Sequence, residues 1–303
     1  VFPSINAAWL ISSEEFMKDL SFVNSLKLRA GIGSSGNDGI ESTAARTYFQ
    51  AVKYYNNATG VELKNIANPA IQWETVTKRN VGLDAVLFND RLTLTMDLYK
   101  NTTDNLLVMK QMEPYSGIGM FWTNDGKLEN KGAEFGFDTR LVRTSNFNLS
   151  IVASVATNKN RIVQLADGDY FTTAYGAEIL TAENQPFGQF FGYQTDGIFV
   201  SASDAAAANL KMMDKTGAYV NFEAGDVRFV DKNNDNIIDQ RDKVVLGNSN
   251  PEVFGGFNAA MNYKSLGLKV HFNYSYGNEI YNYFRSQLES GSSFNNQSVS
   301  LVN

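Results

Sequence analysis

Arg91-Leu92-Thr93-Leu94-Thr95-Met96-Asp97-Leu98-Tyr99 alternates without a break, with Leu92, Leu94, Met96 and Leu98 on one side and Arg91, Thr93, Thr95 and Asp97 on the other. Successive side chains of an extended chain point to opposite faces, so this stretch is a strand with one oily and one wet face. The pattern recurs outward from it. Val81, Leu83, Ala85 and Leu87 oppose Asn80, Gly82 and Asp84; Ala133, Phe135, Phe137 and Leu141 oppose Glu134, Asp138 and Arg140. Phe147, Leu149, Ile151, Ala153 and Val155 oppose Asn148, Ser150 and Ser154, and Leu266, Leu268, Val270, Phe272 and Tyr274 oppose Lys269, His271 and Asn273. The alternating runs span roughly twelve to sixteen residues, against about 5–6 for a globular strand. Long strands with Asn, Asp, Arg and Gly on the wet face fit a transmembrane β-barrel, apolar toward lipid and polar toward an aqueous bore. The expected fold is therefore all-β: an antiparallel transmembrane β-barrel segment with long extracellular loops.

The connections carry the same expectation. Short turns are read at Asn89-Asp90, at 143–146 and at Lys264-Ser265; Asn and Asp tolerate the positive φ that tight hairpins need. Long connections fall at 101–121 and 166–250. Short turns on one rim and long loops on the other suit an outer-membrane barrel, with the short side facing the periplasm. Parity then places 161–251 as one large extracellular excursion within a barrel wall spanning 1–303. It holds strands near 188–199 and 225–230 and one short helix over 204–213. A further hairpin is read at 47–64. About eight membrane strands result, which either close alone or form part of a larger barrel, because unpaired edges in lipid are untenable.

Composition narrows the classes. The 303 residues are 19% charged, below the about 25% of soluble domains; aromatics reach 13%, and the net charge of -6 with no basic run gives no reason to expect nucleic acid. Cysteine is absent, so disulfides and thiolate sites are excluded. No apolar run approaches the ~18–20 residues of a membrane helix. The ends, Val1-Phe2-Pro3-Ser4 and Ser300-Leu301-Val302-Asn303, read as those of an internal piece of something longer.

Asp231-Lys-Asn-Asn-Asp-Asn-Ile-Ile-Asp-Gln-Arg-Asp242 has calcium-loop spacing. Calcium takes six to eight oxygens, supplied by positions 1, 3, 5, 7, 9 and 12 of such a loop. These are Asp231, Asn233, Asp235, the carbonyl of Ile237, Asp239 and Asp242. Asn236 stands at the sixth position, where a left-handed turn favours Gly and then Asn. Ile238 is the apolar anchor, and Asp rather than Glu closes the loop, as in dockerin-like loops. The expected cofactor is structural Ca2+ stiffening the 231–242 loop. A solvated turn rich in Asp and Asn is the plainer alternative.

No catalytic constellation is present, and no enzyme is expected. The one histidine, His271, lies mid-strand on a wet face. Gly31-Ile-Gly33-Ser-Ser-Gly36 has dinucleotide-fingerprint spacing, but no helix follows, so it reads as a strand entering a loop. Glu14 and Glu15 sit in a short turn or helix. Trp122, Phe187, Phe190, Phe191 and Tyr193 could stack on sugar rings, although girdle or strand packing is the simpler reading.

Several segments together resemble the SusC/RagA family of TonB-dependent outer-membrane transporters. They begin with Phe2-Pro-Ser-Ile-Asn-Ala-Ala-Trp9, Glu15-Phe16, Leu26-Lys-Leu-Arg-Ala-Gly-Ile-Gly33 and Gly36-Asn37. Asn68-Pro69, Trp73-Glu-Thr75, Asn80-Val-Gly-Leu-Asp84, Phe88-Asn89 and Arg91-Leu92 follow, then Asn124-Asp-Gly-Lys-Leu-Glu-Asn-Lys-Gly132, Glu134 and Asn158-Lys-Asn-Arg-Ile162. Gln185-Pro186, Tyr193-Gln-Thr-Asp-Gly-Ile-Phe199, Gly225-Asp226, the acidic loop, Gly247, Pro251 and Gly277-Asn278 complete the series. The resemblance implies a 22-stranded barrel with an N-terminal plug, powered by TonB and lidded by a SusD-like surface lipoprotein. It also implies oligosaccharide or peptide cargo and residence among the lipids of the outer membrane of a Gram-negative bacterium. The plug domain and the final strands have no counterpart in this sequence. The expected function is active import of oligosaccharides. The alternative is a calcium-stabilised carbohydrate-binding or adhesive β-sandwich module at the cell surface, whose oily faces would be packed against a second sheet.

Overall fold

A computed structural model describes residues 1–54, 58–112, 120–166, 168–290 and 297–299. Along the chain run β1 (Ser4–Leu10), two 3-10 turns at Ile11–Ser13 and Glu15–Met17, β2 (Val23–Asn37), β3 (Tyr48–Lys53) and β4 (Thr59–Asn65). Next come β5 (Glu74–Leu87), β6 (Leu92–Asp104), β7 (Leu107–Gln111), β8 (Met120–Asn124), β9 (Lys127–Arg143) and β10 (Phe147–Gln164). β11 (Tyr170–Ala174), β12 (Ala177–Thr181), β13 (Gln189–Tyr193) and β14 (Thr195–Ile198) lead to α1 (Ala202–Ala208). Then follow β15 (Lys211–Met213), β16 (Tyr219–Asn221), β17 (Val227–Phe229), β18 (Ile237–Ile238), β19 (Lys243–Asn248), β20 (Val253–Tyr263), β21 (Leu266–Tyr276) and α2 (Tyr283–Leu288).

The first of two compact units holds residues 1–168, 182–185 and 250–277. Its frame is one eight-stranded antiparallel sheet in the order β1-β2-β5-β6-β9-β10-β20-β21. The order never returns to its start: β1 and β21 are separate edges, so the sheet is an open wall and not a closed barrel. The expected eight strands are all present, and they are long, reaching 17 residues in β9 and 18 in β10.

Pairing turns the alternation of single strands into continuous rows. Trp9, Leu28, Leu83, Met96, Phe135 and Val155 are laterally adjacent, as are Leu26, Ala85, Leu94, Phe137, Ala153, Phe257 and Phe272. On the reverse face Ala8, Arg29, Gly82, Asp97 and Glu134 form a row. Large side chains on this apolar face stand open, with Met96 45% exposed, Leu98 47% and Phe272 61%, while the small Ala85 is buried. A sandwich would bury those positions against a second sheet. Here the oily face is left open, as a wall against lipid requires, and this overturns the sandwich arrangement as the packing of the long strands.

Two close approaches fix the wall locally. Tyr99 pairs directly with Gly132 and lies over it, its hydroxyl reaching Asn158 Oδ1 at 3.3 Å. On the apolar face Tyr274 pairs with Gly255 and lies over it, donating to the Ser154 carbonyl at 3.0 Å. Any Cβ on either glycine would collide with the ring's hydroxyl end.

The turns differ in detail from expectation. The β5–β6 link is four residues, 88–91, and Phe88, Asn89 and Asp90 are all left-handed, with φ of 57°, 55° and 59°. Phe88 stacks on Phe22 at 5.8 Å, and Asn24 Oδ1 accepts the Asn89 N–H at 2.8 Å. The Thr144 hydroxyl and the Phe147 backbone close the β9–β10 turn, and Lys264-Ser265 joins β20 to β21 as expected, with Lys264 left-handed. A bulge interrupts the β9 ladder, because Leu149 pairs with Val142 while Ser150 pairs with Arg140; Leu141 is the extra residue. The expected hairpin at 47–64 is β3–β4, and the expected long connection at 101–121 instead holds the C-terminal end of β6 and the hairpin β7–β8.

The second unit comprises residues 169–181, 186–249 and 278–303. It contains a four-stranded sheet β11-β12-β13-β19, a pair β14-β17 and a three-stranded sheet β16-β15-β18. Phe199, Ala205, Leu210 and Ile238 form its buried core, flanked by Tyr193, Met212, Phe222 and Phe229. The helix expected over 204–213 is α1 and ends at Ala208. Ser201 caps its start, accepting the Asp204 N–H at 3.2 Å, and Asn209 stops it in the left-handed region with φ 53°. Lys211–Met213 then turns to strand, because it completes a sheet with β16 and β18.

Candidate functional site

The polar face of the wall carries a charge cluster that spans three strands. Arg29 on β2 donates from Nε and Nη2 to Asp84 on β5 at 2.8 and 2.9 Å, and from Nη2 to Asp97 on β6 at 2.9 Å. Lys27 approaches the same Asp84 at 3.2 Å. The guanidinium crosses β5 at Gly82, whose missing side chain leaves room; a Cβ there would overlap both Arg29 and Asp97. A planar fork meeting two carboxylates is the geometry in which Arg excels over Lys. Further along, Asn160 Nδ2 donates to Asn130 Oδ1 at 2.7 Å, and His271 hydrogen-bonds Asn258 directly opposite it in the ladder. His271 thus sits mid-strand among amides on the wet face, where the sequence places it. Sequence reasoning alone does not find the Arg29 cluster. Its signal was present in the wet-face positions Arg29, Asp84 and Asp97, but it emerges only once β2, β5 and β6 are aligned.

In the second unit the acidic loop is wound around its own side chains. Asp231 accepts the N–H groups of Asn234 and Asn236, both at 2.7 Å, and both donors are left-handed, with φ of 59° and 62°. The left-handed Asn236 is where the sequence asks for one. Asn233 Oδ1 accepts from Asp235 N at 2.9 Å, and Asp235 Oδ1 from Ile237 N at 2.9 Å. Asp242 is fully buried and ties the two ends together, accepting Lys232 N at 2.9 Å and Asp239 N at 2.8 Å. Ile238, 2% exposed, is the anchor into the core, and β18 runs parallel to β15 beside it.

A residue outside the six expected donors occupies the open side of the loop. Arg241 Nη2 stands 2.7 Å from Asp235 Oδ2 and 2.8 Å from Asp239 Oδ2. The Arg241 guanidinium, helped by the Arg241 backbone N–H, holds the Asp239 carboxyl below the usual carboxylate range. Among the described residues no three His, Cys, Asp or Glu side chains converge at metal-ligand spacing. The donor set is nevertheless all oxygen and brought into one loop, which suits a hard cation. Arg241 is the competitor such an ion would have to move.

Two of the five aromatics named for sugar stacking, Phe191 and Tyr193, pack on other rings of the fold, while Phe187 is exposed. Phe191 packs on Phe171 at 5.1 Å and Tyr193 on Phe229 at 5.4 Å, each tilted as edge-favouring rings are. Gly31 to Gly36 lies inside β2, so the fingerprint spacing there belongs to a strand.

Comparison with known proteins gives this wall its family. Residues 1–236 match the family described as TonB dependent receptor-like, beta-barrel. TonB-dependent receptor P3 of Formosa agariphila is 32% identical over 100% of this chain and 30% of its own length. TonB-dependent receptor SusC of Bacteroides thetaiotaomicron is 27% identical over 99% of this chain and 31% of its own. Among solved structures, the RagAB peptide transporter superposes with a TM-score of 0.76 at 22% identity, over 97% of this chain and 31% of that one. The chain spans about three-tenths of the length of the relatives it matches. The resemblance read from its segments stands: this chain is a portion of the wall of a β-barrel, and it belongs to the TonB dependent receptor-like β-barrel family.

Proposed function

We propose that the protein works in the outer membrane of a Gram-negative bacterium as the barrel component of a TonB-driven importer of oligosaccharides. The observation that carries this is the uncovered apolar face of the eight-stranded wall, backed by a charged and amide-rich polar face. With water only on the inner side, the first face meets lipid and the second lines the route of cargo. Sugar cargo is proposed because the SusC/RagA resemblance carried by the segments of this chain implies oligosaccharide as the expected cargo; the likeness to the peptide transporter, at 22% identity, is one of fold and carries no cargo argument. The partners proposed are a SusD-like surface lipoprotein that captures the glycan and TonB acting through a plug. Residues 161–251 are proposed to lie on the extracellular side, with Ca2+ held by Asp231, Asn233, Asp235, the Ile237 carbonyl, Asp239 and Asp242. The ion would brace that region once Arg241 swings off Asp235 and Asp239.

The test is membrane fractionation followed by uptake in the intact strain. The full protein is expected in the outer-membrane fraction, and deleting its gene is expected to abolish growth on one class of oligosaccharide while leaving growth on peptides intact. Loss of peptide-dependent growth alone would sink the cargo assignment. Recovery of the protein in the soluble fraction would sink the membrane one. For the ion, chelation is expected to lower the melting temperature of the wild type, and Arg241→Gln to tighten calcium binding; an unchanged melting curve refutes the brace.

A further inference from the structure

The apolar face ends at one side in a row of cations. Arg79 on β5, Lys100 on β6, Lys131 on β9 and Lys159 on β10 are direct neighbours across four strands. They share the face of Val81, Leu98 and Ala133, two residues further toward the end of the sheet from which the long connections leave. Like charges placed opposite one another across a ladder repel, so such a row is unfavourable by itself. Neutralisation from within is slight. Glu129 pairs with Lys100 at 2.6 Å, while Arg79, Lys131 and Lys159 make no ion pair among the described residues. With Arg161, opposite Glu129 in the ladder, the patch keeps an excess of four positive charges in a chain whose net charge is -6.

Directly beside the row the wall is hollowed. An open groove of about 590 Å³ is lined by Ile5, Ala7, Ala30, Ile32, Val81 and Leu98, with Arg79 and Lys100 at its lip. Ala7 and Ala30 make the hollow, because they are small where the flanking rows carry Ile, Leu and Trp. An oily trough under a cationic lip, on the face turned to lipid, has the polarity of one amphiphile: apolar chain below, anionic headgroup above.

We propose that this patch binds a phosphate-bearing lipid of the outer leaflet, its phosphate on Arg79, Lys100, Lys131 and Lys159 and an acyl chain in the Ala7–Ala30 groove. Phosphate fits better than carboxylate because its several oxygens and greater charge can engage neighbouring cations together. The inference rests on the outer-membrane reading, and it assigns the lipid a role in neutralising a row that is otherwise self-repelling.

The experiment uses the full-length protein purified in neutral detergent. Native mass spectrometry and titration are run with three probes: lipid A from the outer leaflet, the same lipid A with its phosphates removed, and inorganic phosphate. Wild type is expected to bind phosphorylated lipid A at least tenfold more tightly than the dephosphorylated form. Each cation removed is expected to weaken that binding about fivefold, the worth of one Lys or Arg at an anionic surface. Combining Arg79→Gln, Lys100→Gln, Lys131→Gln and Lys159→Gln should therefore erase the preference. Lys78→Gln should not, since Lys78 neighbours Arg79 on β5 but faces the polar side. If the fourfold variant fails to insert, Lys131→Gln with Lys159→Gln is expected to lose about 25-fold by the same rule. Equal binding of the two lipid forms overturns the proposal, as does full competition by inorganic phosphate at equal concentration. Because outer-membrane fractionation of the same samples is scored separately, failure here leaves the importer reading standing or falling by its own result.

Discussion

Asp242→Ala is the perturbation whose effect follows most directly from the structure. The carboxylate is fully buried and accepts two backbone N–H groups, Lys232 at 2.9 Å and Asp239 at 2.8 Å, one from each end of the acidic loop. Hydrogen bonds to a charged acceptor contribute about 1.5–3 kcal/mol each. Both donors lie close to the surface, where water can replace the lost partner, so the lower end applies and the pair comes to about 3 kcal/mol. At 1.4 kcal/mol per decade that is roughly a 100-fold rise in local opening. Hydrogen exchange of the full-length protein, followed peptide by peptide, measures it: amides of Lys232 and Asp239 should exchange roughly 100-fold faster, with the strands of the wall unaffected. Asp242→Asn keeps one carbonyl acceptor and should release only one of the two amides. If both amides in Asp242→Ala exchange within threefold of wild type, the carboxylate is not what closes the loop.

Three further outcomes are expected. Phe199→Ala removes the largest fully buried side chain of the second unit and should destabilise that unit by about 3–5 kcal/mol, seen as new protease cleavage within 186–249. Gly82→Leu drives a side chain into the Arg29–Asp97 contact and should lower the unfolding temperature in detergent. Arg29→Met should lower it less, by the equivalent of about 1 kcal/mol, because these groups are partly solvated. For pH, the Asp239 carboxyl is held below its ordinary value by Arg241, so its contribution is present above the unfolded-state value near 4 and is lost as pH falls through the folded one. The loop should therefore be indifferent to pH between about 5 and 8 and loosen only in stronger acid; Arg241→Gln should move the Asp239 titration upward, read by NMR.

The eight long strands were legible because a two-residue period survives whatever a strand pairs with. Their order was half legible: short turns declared which neighbours are hairpins, while the joining of β2 to β5 and of β10 to β20 rests on contacts between distant segments. Local exceptions stayed hidden for physical reasons. Phe88 takes a left-handed conformation that a bulky residue seldom adopts, so the turn looked two residues long and is four. Leu141 fits the apolar alternation of β9 and yet is the bulge, since nothing in a single strand reports what faces it. Leu210-Lys-Met-Met213 extends a helical pattern, but Asn209 tolerates the reversal that lets sheet pairing take those residues. In the acidic loop the left-handed Asn236 and the buried Ile238 follow from spacing. The part Arg241 plays does not, because spacing rules describe donors and not the cation already resting on them.

Tyr99 over Gly132 and Tyr274 over Gly255 bear on how so long a ribbon finds its alignment. Sliding one strand by a single step would turn every oily side chain to water, but a slide of two steps keeps the faces correct and is opposed only weakly by their polarity. A ring that needs an empty seat makes that second error costly as well: displaced by two, Tyr99 would meet a residue with a side chain, and so would Tyr274. Each tyrosine and its glycine thus act as peg and hole, one on either surface, letting neighbouring ribbons dock at a single offset while the chain is still being threaded into place.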